Sequence, residues 1–232
     1  MTTSTETATA AMVAMISSYA DNKGALGRRF GEWAVSAPTV EAAVAAAAMA
    51  QDELGHARAT YPVLAKLGVE RADDTLDTSG ALPFIAKELP DWAAMIAANL
   101  VVDGILTTWA ASVRDSSIEP LAQRARKILQ EEGSHKVHAE AWARRICRAG
   151  GADRELLLRR IGEAWADASR WPGPDDDPGY CEALASREVA AGPAAVREQV
   201  RAWLDDLLRA EGCEVALPEP EDWSGWDEKR RF

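Results

Sequence analysis

QDELGH at residues 51–56 and QEEGSH at residues 130–135 carry one arrangement twice, a glutamate followed three positions later by a histidine: Glu53 with His56, and Glu132 with His135. The chain has three histidines and 20 glutamates in 232 residues. Chance would set a glutamate three positions before two of those histidines only about 2% of the time. Residues at i and i+3 share a helical face, so each pair can offer a carboxylate and an imidazole to one point. Around the first pair the inward stripe runs Met49, Glu53, His56, Thr60, Val63; around the second it runs Ile128, Glu132, His135, Ala139, Trp142, Ile146. Both stripes are otherwise mainly apolar, so both pairs point at the core. A lone pair of this kind is most often a solvated helix face. Two inward pairs are different, because an unpaired buried carboxylate costs several kcal/mol that a bound cation would offset.

A third carboxylate joins them. Asp103 lies on the stripe Ile96, Leu100, Asp103, Thr107, Ala110, inside the apolar run AANLVVDGILTTW at residues 97–109, where a surface position is hard to justify. Glu-x-x-His motifs on two helices with further carboxylates on the others are the arrangement of bundles that enclose a pair of metal ions. Imidazole with carboxylate suits iron or manganese and not thiophilic metals.

Working outward, alanine-rich segments with apolar residues every three or four positions dominate, and alternating strand patterns are missing, which predicts an all-α chain. Four helices are expected at about residues 6–34, 39–67, 90–114 and 118–149, forming a core bundle over 6–149. Thr39 caps the second, with Glu41 in its first turn, and Gly68 closes it. The remainder, 152–232, reads as two additional C-terminal helices (153–170 and 193–210), a proline-rich loop at 171–179 and an extended tail. The whole of 1–232 is expected to be a single domain.

Composition narrows the function. Three separated cysteines (Cys147, Cys181, Cys213) give neither a thiolate metal site nor a disulfide scaffold, and a cytoplasmic protein is expected. A net charge of −11 argues against nucleic acid and anionic membranes, and no basic leader is evident and no apolar run is expected to reach the roughly 18 residues of a membrane span.

The chain resembles the ferritin-like subunits of bacterial phenylacetyl-coenzyme A epoxidase, a multicomponent monooxygenase. The segment GEWAVSAPTVEAAVAAAAMAQDELGHA (residues 31–57) resembles the family's first hairpin, LVVDGI (100–105) its third-helix ligand segment and QEEGSH its fourth-helix motif. The likeness runs over about residues 12–145 and more weakly into the tail. It implies a ferritin-like four-helix bundle with Glu53, His56, Asp103, Glu132 and His135 as ligands to two iron ions, His56 and His135 binding one each. That family pairs a catalytic bundle with a related one that has lost its ligands. The first hairpin here is more like the supporting partner, while the ligand segments are more like the catalytic one.

A sixth ligand is missing. The first-helix stripe Met12, Ile16, Tyr19, Lys23, Leu26, Phe30, Trp33 puts Lys23 at the height where a carboxylate is expected. Asp21 lies far round the helix, and Glu32 sits too near the hairpin turn. Either an irregularity brings Asp21 in, or the first metal position is open, with Lys23 donating hydrogen bonds there or displacing one metal. A lysine that snorkels to water is the ordinary alternative.

The leading expectation is therefore a di-iron oxygenase component that activates O₂. The resemblance implies an aromatic acyl-coenzyme A substrate, and the lack of flavin or iron–sulfur motifs implies a separate reductase. A non-catalytic supporting bundle is the alternative, although such a bundle has no evident reason to keep five inward ligands. A ferritin-like metal-storage or peroxide-detoxifying protein comes third. Association as a homodimer, or as a hetero-oligomer with a related bundle, is expected, unless the Trp-bearing tail covers its own bundle. Asp52 and Glu131 are candidates to accept the outer N–H of a histidine on the neighbouring helix. His138, three residues past His135, reads as a flanking histidine and not a ligand.

Overall fold

The computed structural model describes residues 9–71 and 78–232, and among these every regular element is helical. Helix α1 (Ala10–Trp33) starts where Thr9 Oγ1 accepts the Met12 N–H; the expected start near residue 6 lies outside the described residues. Helix α2 (Val40–Lys66) opens on Thr39, whose Oγ1 accepts the Ala42 N–H, with Glu41 in the first turn. Gly68, at φ +84°, closes it as Val69 N–H returns to the Leu64 carbonyl. The α1–α2 hairpin is tight because Gly27 lets the backbones meet: a Cβ there would lie 2.8 Å from Leu54 Cγ and 2.9 Å from the Leu54 nitrogen.

The third long helix is α4 (Trp92–Ser112), preceded by a single unanticipated turn, α3 (Pro83–Ala86). It starts at Trp92 and not at residue 90 because Asp91 takes the cap, its Oδ1 accepting the Ala94 N–H at 2.7 Å. From Ala98 to Asp103 it is a π-helix. Contrary to expectation, α4 is long and apolar enough to cross a membrane, but most of it is buried inside this protein, which accounts for its apolarity.

Helix α5 (Glu119–Ala149) ends at Gly150, φ +72°, and α6 (Gly151–Ala168) follows at once. On α5 the buried stripe continues from Ala139 through Ala143 to Cys147. The expected Trp142 and Ile146 are only half-buried, since Trp142 turns toward Trp92 in an aromatic cluster with ring centroids 5.2 Å apart. The loop expected through residue 179 stops earlier. Pro178, with no N–H to leave unsatisfied, opens helix α7 (Pro178–Ala185), and Asp177 Oδ1 accepts the Gly179 N–H. Helix α8 (Pro193–Arg209) completes the set.

Helices α1, α2, α4 and α5 surround the polar centre, α6 packs along α4, and α8 lies across α4 and α5. The tail covers its own bundle. Arg197 on α8 holds Glu219 at 2.6 Å, Trp165 Nε1–H donates to the Pro218 carbonyl, and the buried Arg231 donates to the Trp171 and Pro172 carbonyls.

Candidate metal centre

Four helices deliver six side chains to one point. α1 contributes Lys23, α2 Glu53 and His56, α4 Asp103, and α5 Glu132 and His135; all six are buried. Asp103 arrives at the end of the π segment, whose extra residue per turn rotates later side chains by about 100° relative to an α-helix. Nothing in the sequence marks that segment, because α4 is apolar on nearly every side and a one-residue change of phase leaves an apolar stripe through Asp103 in either case.

Lys23 sits in the middle. Its Nζ donates to Asp103 Oδ1 at 2.5 Å, Glu132 Oε1 at 2.6 Å and Glu53 Oε1 at 3.1 Å, with no exposed surface on the lysine at all. The open question of the first helix is thereby answered. Asp21 faces outward and pairs with Arg71, and Glu32 pairs with Arg28 and Arg29, so neither reaches the centre.

The histidines turn Nδ1 inward. His135 Nδ1 lies 3.1 Å from Glu53 Oε1 and 3.4 Å from Glu132 Oε2, and His56 Nδ1 lies 3.2 Å from Glu132 Oε1. Their outer nitrogens pair crosswise: His56 Nε2 with Glu131 Oε2 at 2.7 Å, and His135 Nε2 with Asp52 Oδ2 at 3.3 Å. Each helix thus steadies the histidine of the other and fixes Nδ1 toward the centre. His138 stands outside, edge-on to Trp92.

Burial opposes every charge here, so the partners decide. It would lower the Lys23 ammonium, yet Asp103, Glu132 and Glu53 hold its pKa well above the ordinary value. Burial works against ionised Glu132, yet Lys23 and the two histidines keep it well below the usual carboxylate range. Asp103 makes the shortest contact with the ammonium, yet burial, with Glu132 and Glu53 beside it, outweighs Lys23 and pushes it up to about 6. His56 rises to about 9 despite burial because Glu132 and Glu53 face it, and His135 rises further for the same reason with Asp103 added. Three carboxylates against one ammonium and two imidazolium ions sum to zero at neutral pH.

The same bookkeeping tests a metal. Glu53, Asp103, Glu132 and His135 offer ligand atoms within 4.8 Å of one another, so this buried group could hold a metal ion. Glu53 Oε2 and His56 Nδ1 make no well-formed hydrogen bond, although each lies near a charged neighbour, Glu53 Oε2 being 3.0 Å from Lys23 Nζ. One divalent ion with neutral imidazoles again sums to zero beside Lys23. A pair of ions would leave two positive charges buried, with all three carboxylates already drawn onto the ammonium. With Lys23 charged, the count closes for one ion.

The profile of one protein family, described as phenylacetic acid catabolic protein, matches residues 1–232. A relative from Escherichia coli (strain K12), named as one of the subunits of 1,2-phenylacetyl-CoA epoxidase, is 25% identical over 183 residues, spanning 76% of this chain and 73% of its own.

Proposed function

The chain belongs to the phenylacetic acid catabolic protein family, and from that premise we propose that it is a supporting bundle of a multicomponent oxygenase for aromatic acyl-coenzyme A substrates. Its partner is a related bundle that carries the oxygen chemistry and draws electrons from a separate reductase in the cytoplasm. The relative's name, which makes it one of several chains of an epoxidase, supports membership of such an assembly. One observation carries the supporting role: Lys23 occupies the space between the three carboxylates. It also supplies the missing reason for keeping five inward ligands, since with Lys23 they form a self-neutralised polar core that ties four helices together. A storage role that pairs irons at one centre meets the same obstacle.

A second reading is favoured by Glu53 Oε2 and His56 Nδ1, which lack well-formed hydrogen bonds. In it Glu53, His56, Asp103, Glu132 and His135 hold a single iron or manganese ion beside Lys23, in exchange for the imidazole protons.

Metal analysis separates these readings from a di-iron enzyme. Protein produced with ample iron and manganese is expected to hold at most one ion per chain, and Lys23→Glu, which supplies the absent carboxylate, to rise toward two. Two ions per wild-type chain would refute the supporting role.

A further inference from the structure

Lys23 and Glu53 have no exposed surface, while Asp103 and Glu132 keep a trace of it, and the two that keep it line one cleft. The cleft runs in between α4, α5 and α8, has a volume of about 170 Å³, and carries Thr107 and Thr108 on its wall. That is room for several waters, enough for one hydrated ion to pass. Thr107 Oγ1 donates to Asp103 Oδ1 at 3.4 Å, so the wall leads directly to a carboxylate of the centre.

An indole forms part of the cleft wall. The Trp203 indole, from α8, lies over Gly104, the residue next to Asp103; a Cβ on Gly104 would come within 3.2 Å of Trp203 Cζ3, so the ring packs closely against that backbone. Two residues of α5 hold the ring in place. Lys136 Nζ stands 4.4 Å from its centroid, and Trp203 Nε1–H donates to Glu140 Oε1 at 2.8 Å. Lys136 is exposed and Glu140 and Trp203 are half-buried, whereas the apolar face of α8 is buried separately through Val196, Val200, Leu204 and Leu207.

We propose that this cleft is the port through which a divalent cation reaches and leaves the Asp103–Glu132 carboxylates, with Trp203 as its movable cover and Lys136 and Glu140 as the latch. The proposal rests on the single-ion reading and adds the route and the residues that govern its rate. A cover of this kind changes the rate of exchange and leaves equilibrium affinity alone, because none of its three residues contacts the ion.

The probe is Co²⁺ alone, followed by its visible absorption as it enters a nitrogen–oxygen site, in wild-type protein and in Trp203→Ala and Trp203→Phe. Losing one cation–π contact and one hydrogen bond is expected to speed uptake and release of the ion in Trp203→Ala by about tenfold with unchanged affinity. Trp203→Phe, which keeps a ring over Gly104, is expected to fall between. Equal rates in all three proteins overturn the port. If none of them binds Co²⁺, the single-ion reading fails and a second measurement still decides the route. Thr107→Cys, made in a Cys181→Ser background, is labelled with 2-aminoethyl methanethiosulfonate, with and without Trp203→Ala. Faster labelling in the absence of the indole supports the port, and identical labelling overturns it.

Discussion

Replacing Lys23 by methionine removes the ammonium while nearly preserving volume, so its cost is electrostatic and its size can be worked out. The variant leaves three buried carboxylates facing two imidazolium ions. Breaking a buried ion pair from one side costs about 3–5 kcal/mol. The protein has an escape, which is to bind a proton on Asp103, already raised to about 6 in the wild type. Protonating at pH 7 a carboxyl whose unfolded pKa is about 3.9 costs about 4 kcal/mol, which caps the loss. For a chain of this length each kcal/mol lowers the thermal midpoint by about 2–4 °C, so Lys23→Met is expected to melt about 6–16 °C lower at pH 7. The pH dependence identifies the mechanism. In the variant Asp103 has a folded pKa far above its unfolded one, so its stabilising contribution is complete below the unfolded value and is lost as pH rises through the folded one. The deficit against wild type should therefore shrink from pH 7 to pH 5, by about 1.4 kcal/mol per unit at most. Circular dichroism melts across pH 5–8 measure both. A midpoint shift below about 2 °C at pH 7, the scale of a surface substitution, or a deficit that grows toward pH 5, would refute the buried ammonium.

The wild type should lose stability in alkali. His56 is raised to about 9, so its contribution is complete below about pH 6.5 and is lost between there and pH 9, an effect of up to about 3 kcal/mol. Urea midpoints measured from pH 6 to pH 10 should fall, and the slope should flatten in His56→Gln; a rising midpoint contradicts the charge balance. Gly27→Ala is expected to destabilise by about 1–3 kcal/mol, because its Cβ meets Leu54 and the Ala50 carbonyl at 2.8–3.0 Å. Gly55→Ala, on the same hairpin with no atom within 4 Å of the new Cβ, is expected to stabilise by up to about 1 kcal/mol, and denaturant unfolding distinguishes the two signs.

How much of this was legible beforehand depends on whether polarity and period agreed. Glu53 with His56 and Glu132 with His135 were legible because each interrupts an apolar stripe at helical spacing, so residue type and phase gave one answer. Thr39, Glu41 and Gly68 marked the ends of α2 by their own hydrogen-bonding and backbone preferences. Lys23 was placed on the inward stripe, yet its partner could not be read, since a long side chain permits both a buried pair and a solvent-directed one. The π segment was invisible for the opposite reason: Ala98 to Asp103 is buried all round, and an apolar stripe runs through Asp103 whether or not the phase shifts by one residue. Pro178 read as loop because three prolines stand within nine residues, although a proline is as much at home in the first turn of a helix as outside one. The tail gave only its tryptophans; Arg231, which seals it beneath Trp226, looked like one more cation in a charged terminus.

A centre that carries its own cation changes the order in which such a protein can be made. Bundles that depend on metal ions to neutralise buried carboxylates are unfinished until the metal arrives, and their apo forms are held open by repulsion among the ligands. Here the neutralising charge is encoded in the chain and arrives with α1, the first helix of the hairpin. On the supporting role proposed above, folding of this bundle then does not wait for iron, and Lys23 lets it reach its final shape before any metal-dependent partner does.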